Sequence, residues 1–184
     1  IAPPMFCMVL RKHLLGGRIV KIEQPDFERI LVLSIEARNE LGDLSLKQLI
    51  IEIMGRHSNI ILIDNNNEII DSIKRITERI SRVRQVLPGI PYQNPPSQNK
   101  QNPLLQDRHG LNELFPARIN TDKAPGLLLN SFTGVSKATA REIVFRAAAK
   151  LSRNQDEAFK IMERENLTES FISFFHKVKI KNFL

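Results

Sequence analysis

Apolar positions in the first half of the chain come in short runs separated by polar turn residues, the pattern of a strand-rich unit. Residues 49–63, Leu-Ile-Ile-Glu-Ile-Met-Gly-Arg-His-Ser-Asn-Ile-Ile-Leu-Ile, hold its densest β-branched material, interrupted only by Gly55 to Asn59. Two apolar runs of strand length around a Gly-containing polar loop predict a hairpin. Before it, Arg18–Gln24 and Arg29–Arg38 alternate apolar and polar residues about the turn sequence Pro25-Asp26-Phe27-Glu28. Asn39 to Asp43 turns into a third strand over Leu44–Met54; Ile60–Asp64 is the fourth, and Asn65-Asn66-Asn67 turns into a fifth, Glu68–Ile73. A short helix over residues 3–15, opened by Pro3-Pro4 and stopped by Gly16-Gly17, precedes this β-meander. Runs apolar on both faces, such as Leu49–Ile51, call for a cover over the sheet, either a second sheet or the opening helix.

After residue 86 the pattern changes. From Leu87 to Pro103 the chain sets Pro88, Gly89, Pro91, Pro95, Pro96 and Pro103 among Gln and Asn, which predicts an extended linker stiffened by proline. The remainder of the chain is helical by periodicity: Leu111–Phe115, Gly126–Phe132, Lys137–Leu151, Asp156–Asn166 and Thr168–Val178. The expected class is therefore α+β, an antiparallel meander or sandwich over residues 1–90, a linker over 91–106, and an all-α domain over 107–184.

Composition narrows the chemistry. The 184 residues include one cysteine, Cys7, which excludes an internal disulfide and a cysteine-based zinc site, and four scattered histidines without ligand spacing. No apolar run reaches the length of about 20 residues that a membrane span needs. Net charge is +7, and it is unevenly placed: residues 1–98 carry 13 Lys and Arg against 11 Asp and Glu, residues 99–184 carry 14 against 9. A basic excess of this kind suits a phosphate-rich partner, though solvated basic faces produce it too. In the hairpin loop, Arg56 offers a planar fork of donors beside His57, while the same residues also suit a solvated turn. Residues 74–86 bring Lys74, Arg75, Arg79, Arg82 and Arg84 with only Glu78 against them; bordering the Arg56 loop, they would extend a phosphate track. No nucleophile with its base, carboxylate pair, metal set or glycine-rich nucleotide loop stands at workable spacing, so a binding protein without enzymatic activity and without a cofactor is expected.

In the helical half, Phe132-Thr133-Gly134-Val135-Ser136-Lys137-Ala138-Thr139-Ala140-Arg141-Glu142-Ile143 resembles a helix-hairpin-helix motif. Gly134 allows a tight turn, Ser136 is a good N-cap, and the N–H groups of Ser136 to Thr139 would face a phosphate at the positive end of a helix. Gly134, Val135, Ser136, Lys137 and Arg141 are the candidate phosphate contacts there. Ser136 in place of a second Gly and Thr133 in place of Pro depart from the strongest motifs of this type, and a hairpin serving only as a packing unit is the alternative.

The stretch Glu52-Ile53-Met54-Gly55-Arg56-His57-Ser58-Asn59-Ile60-Ile61-Leu62 resembles the signature of the N-terminal domain of the NFACT family. Pro3-Pro4-Met5-Phe6-Cys7-Met8, Leu10-Arg11-Lys12-His13-Leu14, Gly17-Arg18-Ile19, Glu36-Ala37-Arg38-Asn39-Glu40, Asp71-Ser72-Ile73-Lys74-Arg75 and Leu87-Pro88-Gly89 agree with it in order and spacing. The match begins part-way into the family's first domain, which implies a portion lacking that domain's opening strands and the family's later coiled-coil and C-terminal parts. The resemblance implies a fold like the N-terminal domain of formamidopyrimidine-type DNA glycosylases, a helix-hairpin-helix domain after it, and a cytoplasmic role in ribosome-associated quality control. The implied partners are the large ribosomal subunit, its rRNA and tRNA, with alanine tRNA recruited for template-independent tailing of stalled chains. It also implies a tRNA-handling patch made of Glu28, Arg29, Glu52, Met54 and Arg56, with His57 beside them; Glu28 stands where the family usually has Asp. Two other readings come from the same resemblance: a surface adhesin that binds fibronectin, as the family's older name has it, and a DNA-binding glycosylase relative without catalysis.

Overall fold

The structure is a computed structural model that describes residues 3–180 except 40, 97 and 150–160. The chain divides into two compact units, residues 1–97 and 98–184.

In the first unit, helix α1 (Met5–Leu14) is followed by β1 (Arg18–Glu23), β2 (Ile30–Arg38), β3 (Leu44–Glu52), β4 (Asn59–Ile63) and β5 (Ile69–Ser72). These strands form one antiparallel sheet in sequence order, each joined to the next by a short turn. The register places Ile30 opposite Glu52 and Val32 opposite Ile50, then Ile50 opposite Ile61 and Gln48 opposite Ile63. Partners in such a ladder share a face, so Ile30, Val32, Ile50, Ile61 and Ile63 form one continuous apolar surface. Ile69 and Val86 complete the buried cluster, with Met54, Ile76, Ile90 and Tyr92 packed against it.

The cover over that face is neither a second sheet nor the opening helix. It is an irregular strap, residues 74–92. Ile76 and Val86 exchange two backbone hydrogen bonds of 2.9 Å, and Ile69 exchanges bonds with Gly89 and Ile90, so the strap is tied both to itself and to β5. Tyr92 N–H donates to Asn67 O at 2.8 Å. Residues 86–92 thus belong to the first unit, because the apolar residues between their prolines have a surface to bury. Helix α1 lies against the opposite face. Gly17 follows it because a Cβ there would stand 3.0 Å from Ile35 Cγ2 and 3.1 Å from Ala37 Cβ.

The second unit comprises α2 (Arg108–Leu114), β6 (Arg118–Asn120), α3 (Ala124–Ser131), α4 (Lys137–Ala149), β7 (Ile161–Glu163) and α5 (Arg164–Lys179). It is not all-α, since β6 and β7 pair antiparallel with Ile119 opposite Met162. Of the expected helix over Asp156–Asn166, residues 156–160 lie outside the described residues. Residues 161–163 are a strand whose central Met162 is buried while its neighbours are exposed, and the helix begins at Arg164. The core is aromatic: Phe132 and Phe171 pack with their rings tilted by 42° at a centroid distance of 4.6 Å, and Phe115 meets both rings edge-on. Ser170 Oγ donates to Ile143 O at 2.8 Å and locks α5 onto α4.

Candidate nucleic-acid interface

One end of the five-stranded sheet collects the loops that the sequence singles out. Ile30 opposite Glu52, and Glu52 opposite Asn59, bring the β1–β2 tip beside the β3–β4 turn. Ile53 N–H donates to Arg29 O at 2.8 Å, extending the ladder to Arg29. The chain leaving β5 reaches the same end through Asn59, a residue that sequence reasoning passes over. Its buried amide donates to Lys74 O at 2.9 Å and accepts from Lys74 N–H at 2.9 Å. Glu28, Arg29, Met54, Arg56, His57 and Lys74 are therefore neighbours along one rim.

The β3–β4 turn is closed locally. Gly55 has φ of +59°, a conformation glycine adopts without strain, and Ser58 N–H donates to Gly55 O at 3.0 Å. Ser58 Oγ accepts from Met54 N–H at 2.9 Å. Arg56 Nε donates to His57 Nε2 at 2.9 Å, and Lys74 Nζ donates to Arg56 O at 3.2 Å, so one cation crosses the back of the turn that presents another. Arg29, Arg56, His57 and Lys74 are exposed. Among the described residues no carboxylate pairs with Arg29, Arg56 or Lys74. Arg75 differs. Both oxygens of the buried Asp71 accept from it, at 3.0 and 3.2 Å, and the hydrogen bond and then the charge of that carboxylate hold its pKa above the ordinary value. Arg75 is exposed like the other three, but it has a carboxylate partner in the fold.

Glu52 is not part of the accessible patch. Its side chain is 2% exposed and accepts from Arg84 NH1 at 3.0 Å and from Arg84 NH2 at 2.6 Å. Tyr92 Oη donates to the same carboxylate at 3.0 Å, and the Arg84 guanidinium lies 5.1 Å from the Tyr92 ring centroid. Burial first, and then the charge of Glu52, push the Tyr92 hydroxyl pKa well above its ordinary value. A carboxylate engaged three ways inside the strap has no surface to offer RNA, so Glu52 supports the patch from beneath. Met54 likewise packs against the apolar cluster. Arg84 leaves the expected phosphate track for the same reason, with a side chain only 10% exposed.

In the second unit α3 and α4 are joined by a turn at Gly134, where φ is +70°. Gly134, Ser136, Lys137 and Arg141 are exposed, the last two four residues apart on α4, while Val135 is half-buried. Ser136 caps α4 as expected, its Oγ accepting from Thr139 N–H at 3.0 Å. That bond occupies one of the N–H groups the sequence offers to phosphate. Among the described residues no three His, Cys, Asp or Glu side chains gather into a metal-ligating group, and no helix is long and apolar enough to cross a membrane.

Comparisons with known proteins agree on one family. The family described as NFACT N-terminal and middle domains matches residues 1–184. A protein named Rqc2 homolog RqcH from Bacillus subtilis (strain 168) is 40% identical over 183 residues, covering 99% of this chain and 30% of its own length. An archaeal Rqc2 homolog, aRqcH of Methanocaldococcus jannaschii, is 30% identical over 166 residues, covering 88% of this chain and 23% of its own. This chain thus spans under a third of either relative. Among solved structures, a fibrinogen binding protein from Staphylococcus aureus superposes with a TM-score of 0.75 at 35% identity, over 100% of this chain and 60% of that one. The N-terminal part of a fibronectin/fibrinogen-binding protein from Streptococcus suis superposes with a TM-score of 0.74 at 32% identity, over 96% of this chain and 59% of that one. A family match over the full length, with the signature Glu52 to Leu62 folded into the rim of the sheet, means that this chain belongs to the NFACT family.

Proposed function

We propose that this chain is the RNA-gripping part of a cytoplasmic ribosome-associated quality-control factor. In this reading it binds large ribosomal subunits obstructed by peptidyl-tRNA and recruits alanine tRNA for template-independent C-terminal tailing of the stalled chain. It acts as a platform, and peptide-bond chemistry stays with the ribosome. The observation that carries the reading is the gathering of Arg29, Arg56 and Lys74 on one sheet end without carboxylate partners among the described residues. Three cations left unneutralised on one rim favour a polyanion, because each phosphate contact releases condensed counterions. Glu28 and His57 flank them as hydrogen-bonding groups. The α3–turn–α4 unit, read as a helix-hairpin-helix, adds Lys137 and Arg141 as phosphate contacts.

The test is co-purification from cells of the full-length protein and its Arg29→Ala/Arg56→Ala variant. Both side chains are exposed, so the variant keeps its fold; tRNA recovery is expected to collapse. Unchanged recovery would remove this site. The solved relatives are named for binding fibrinogen or fibronectin, so the same pull-down is probed for fibronectin, and its capture in place of ribosomal subunits and tRNA would favour the adhesin.

A further inference from the structure

The five-stranded sheet has two edges, and the fold closes one of them. Outside β5, Ile69 exchanges backbone hydrogen bonds with Gly89 and Ile90 of the strap. Outside β1 no strand follows, and among the described residues no backbone bond reaches its outer side. A strand left in this way is a template for another.

The side chains of β1 do not shield that edge. Ile19, Val20 and Ile22 are 53, 45 and 62% exposed. Lysines and β-bulges commonly guard an edge, and β1 has one of each, at Lys21 and at Val20. Lys21, however, lies along the strand, its Nζ 2.8 Å from Glu23 Oε1. The bulge has a further effect. In a regular strand residues five apart face opposite sides. Here the extra residue, Val20, resets the alternation, since Ile19 stands opposite Ile35 and Lys21 opposite Ser34. Arg18 and Glu23, opposite Glu36 and Val32, consequently share the face of the apolar core, while Ile19 and Ile22 share the face on which α1 lies.

That placement makes the strand complementary to itself. Set antiparallel against a second copy, Arg18-Ile19-Val20-Lys21-Ile22-Glu23 puts Arg18 opposite Glu23, Ile19 opposite Ile22 and Val20 opposite Lys21. Directly opposed residues lie on one face of a sheet, and the bulge is what lets these pairs do so. Both end charges have capacity left. Arg18 gives one N–H to Glu36 Oε2 at 3.0 Å, of the five its guanidinium carries, and Glu23 keeps its second oxygen beside the one facing Lys21.

We propose that β1 pairs antiparallel with β1 of a second copy of this chain, about a twofold axis through the middle of the strand, joining two five-stranded sheets into one. The two cationic rims then lie at opposite ends of the joint sheet, so pairing neither needs nor blocks RNA binding. An interface about one strand wide belongs with those under about 1,200 Å2, so the dimer is weak and depends on concentration.

The test is sedimentation of the full-length protein at rising concentration and low salt, where the parent is expected to pass from monomer to dimer. Arg18→Glu alone and Glu23→Arg alone each place two like-charged pairs across the axis and should weaken the dimer about tenfold. Mixing the two variants makes both cross pairs unlike again and should restore the parental affinity in a heterodimer. Ile22→Thr keeps strand propensity, leaves the end charges alone and should also weaken the dimer. A parent that stays monomeric at every concentration would overturn the pairing and leave the edge to a strand from elsewhere. A dimer that neither charge reversal weakens, that mixing fails to restore, or that Ile22→Thr leaves unchanged would overturn it as well.

Discussion

Replacing Arg84 with Met should unfold the first unit far more readily than any change on the rim. Glu52 is 2% exposed, and Arg84 supplies two of its three hydrogen bonds, at 2.6 and 3.0 Å. Removing one member of a buried ion pair leaves an uncompensated charge in the interior and costs about 3–5 kcal/mol. Against a domain stability of about 5–15 kcal/mol, that is a large share. For a unit of 97 residues it corresponds to a fall in Tm of about 12–40 °C. The chain offers a built-in reporter, because it has one tyrosine and no tryptophan, and that tyrosine contacts the pair. Tyrosine fluorescence followed through a thermal melt of the 184-residue chain therefore reads the first unit. The companion variant is Glu52→Gln with Arg84→Met. It removes both charges, keeps an acceptor for Tyr92, and should recover most of the loss, since a buried pair replaced as a whole is often close to neutral. If Arg84→Met melts within about 5 °C of the parent, or if the double variant is no more stable than the single one, the ion pair does not hold the strap to the sheet.

The same geometry sets three further outcomes. The phenolate absorbance of Tyr92 should appear well above pH 10 in the folded chain and near pH 10 in denaturant. Because the folded pKa is the raised one, the unfolded state loses its proton first, so stability should fall as pH rises past about 10, and Tyr92→Phe should flatten that dependence. Asn59→Ala removes two buried hydrogen bonds to the Lys74 backbone and should cost about 1–3 kcal/mol in chemical denaturation. Ser136→Ala, which removes the cap on α4, should cost about 1 kcal/mol of second-unit stability, measured by helical circular dichroism in denaturant.

The two arginines at 82 and 84 show where sequence reasoning stops. Both lie in one basic run, two residues apart, and nothing local separates them; Arg82 is exposed, whereas Arg84 is half-buried and turned in against a buried carboxylate 32 residues earlier. Charge runs are read locally, and the pairing of Glu52 is not local. The meander itself is legible, because strand alternation and the turns at Pro25, Asn39 and Asn65 are carried by adjacent residues. The strap is not, because Ile76, Val86, Ile90 and Tyr92 are spaced irregularly among charges and prolines and match neither period, although four apolar side chains in such a segment are an available signal. In the second unit β6 and β7 are three residues each, too short to register as alternation. The candidate site divides along the same line. Arg29, Arg56 and Lys74 are legible because exposed cations declare themselves in sequence. Glu52 reads as a surface contact because a motif carries a residue's importance without saying whether that residue touches the partner or holds up the residues that do. Buried beneath the turn that presents Arg56, Glu52 ties that turn to the strap through Arg84 and Tyr92, while Asn59 ties it to Lys74. Affinity and stability should therefore separate by position: changes at Arg29 and Arg56 should act on RNA binding alone, and changes at Glu52, Arg84 and Asn59 should act on binding only through the fold.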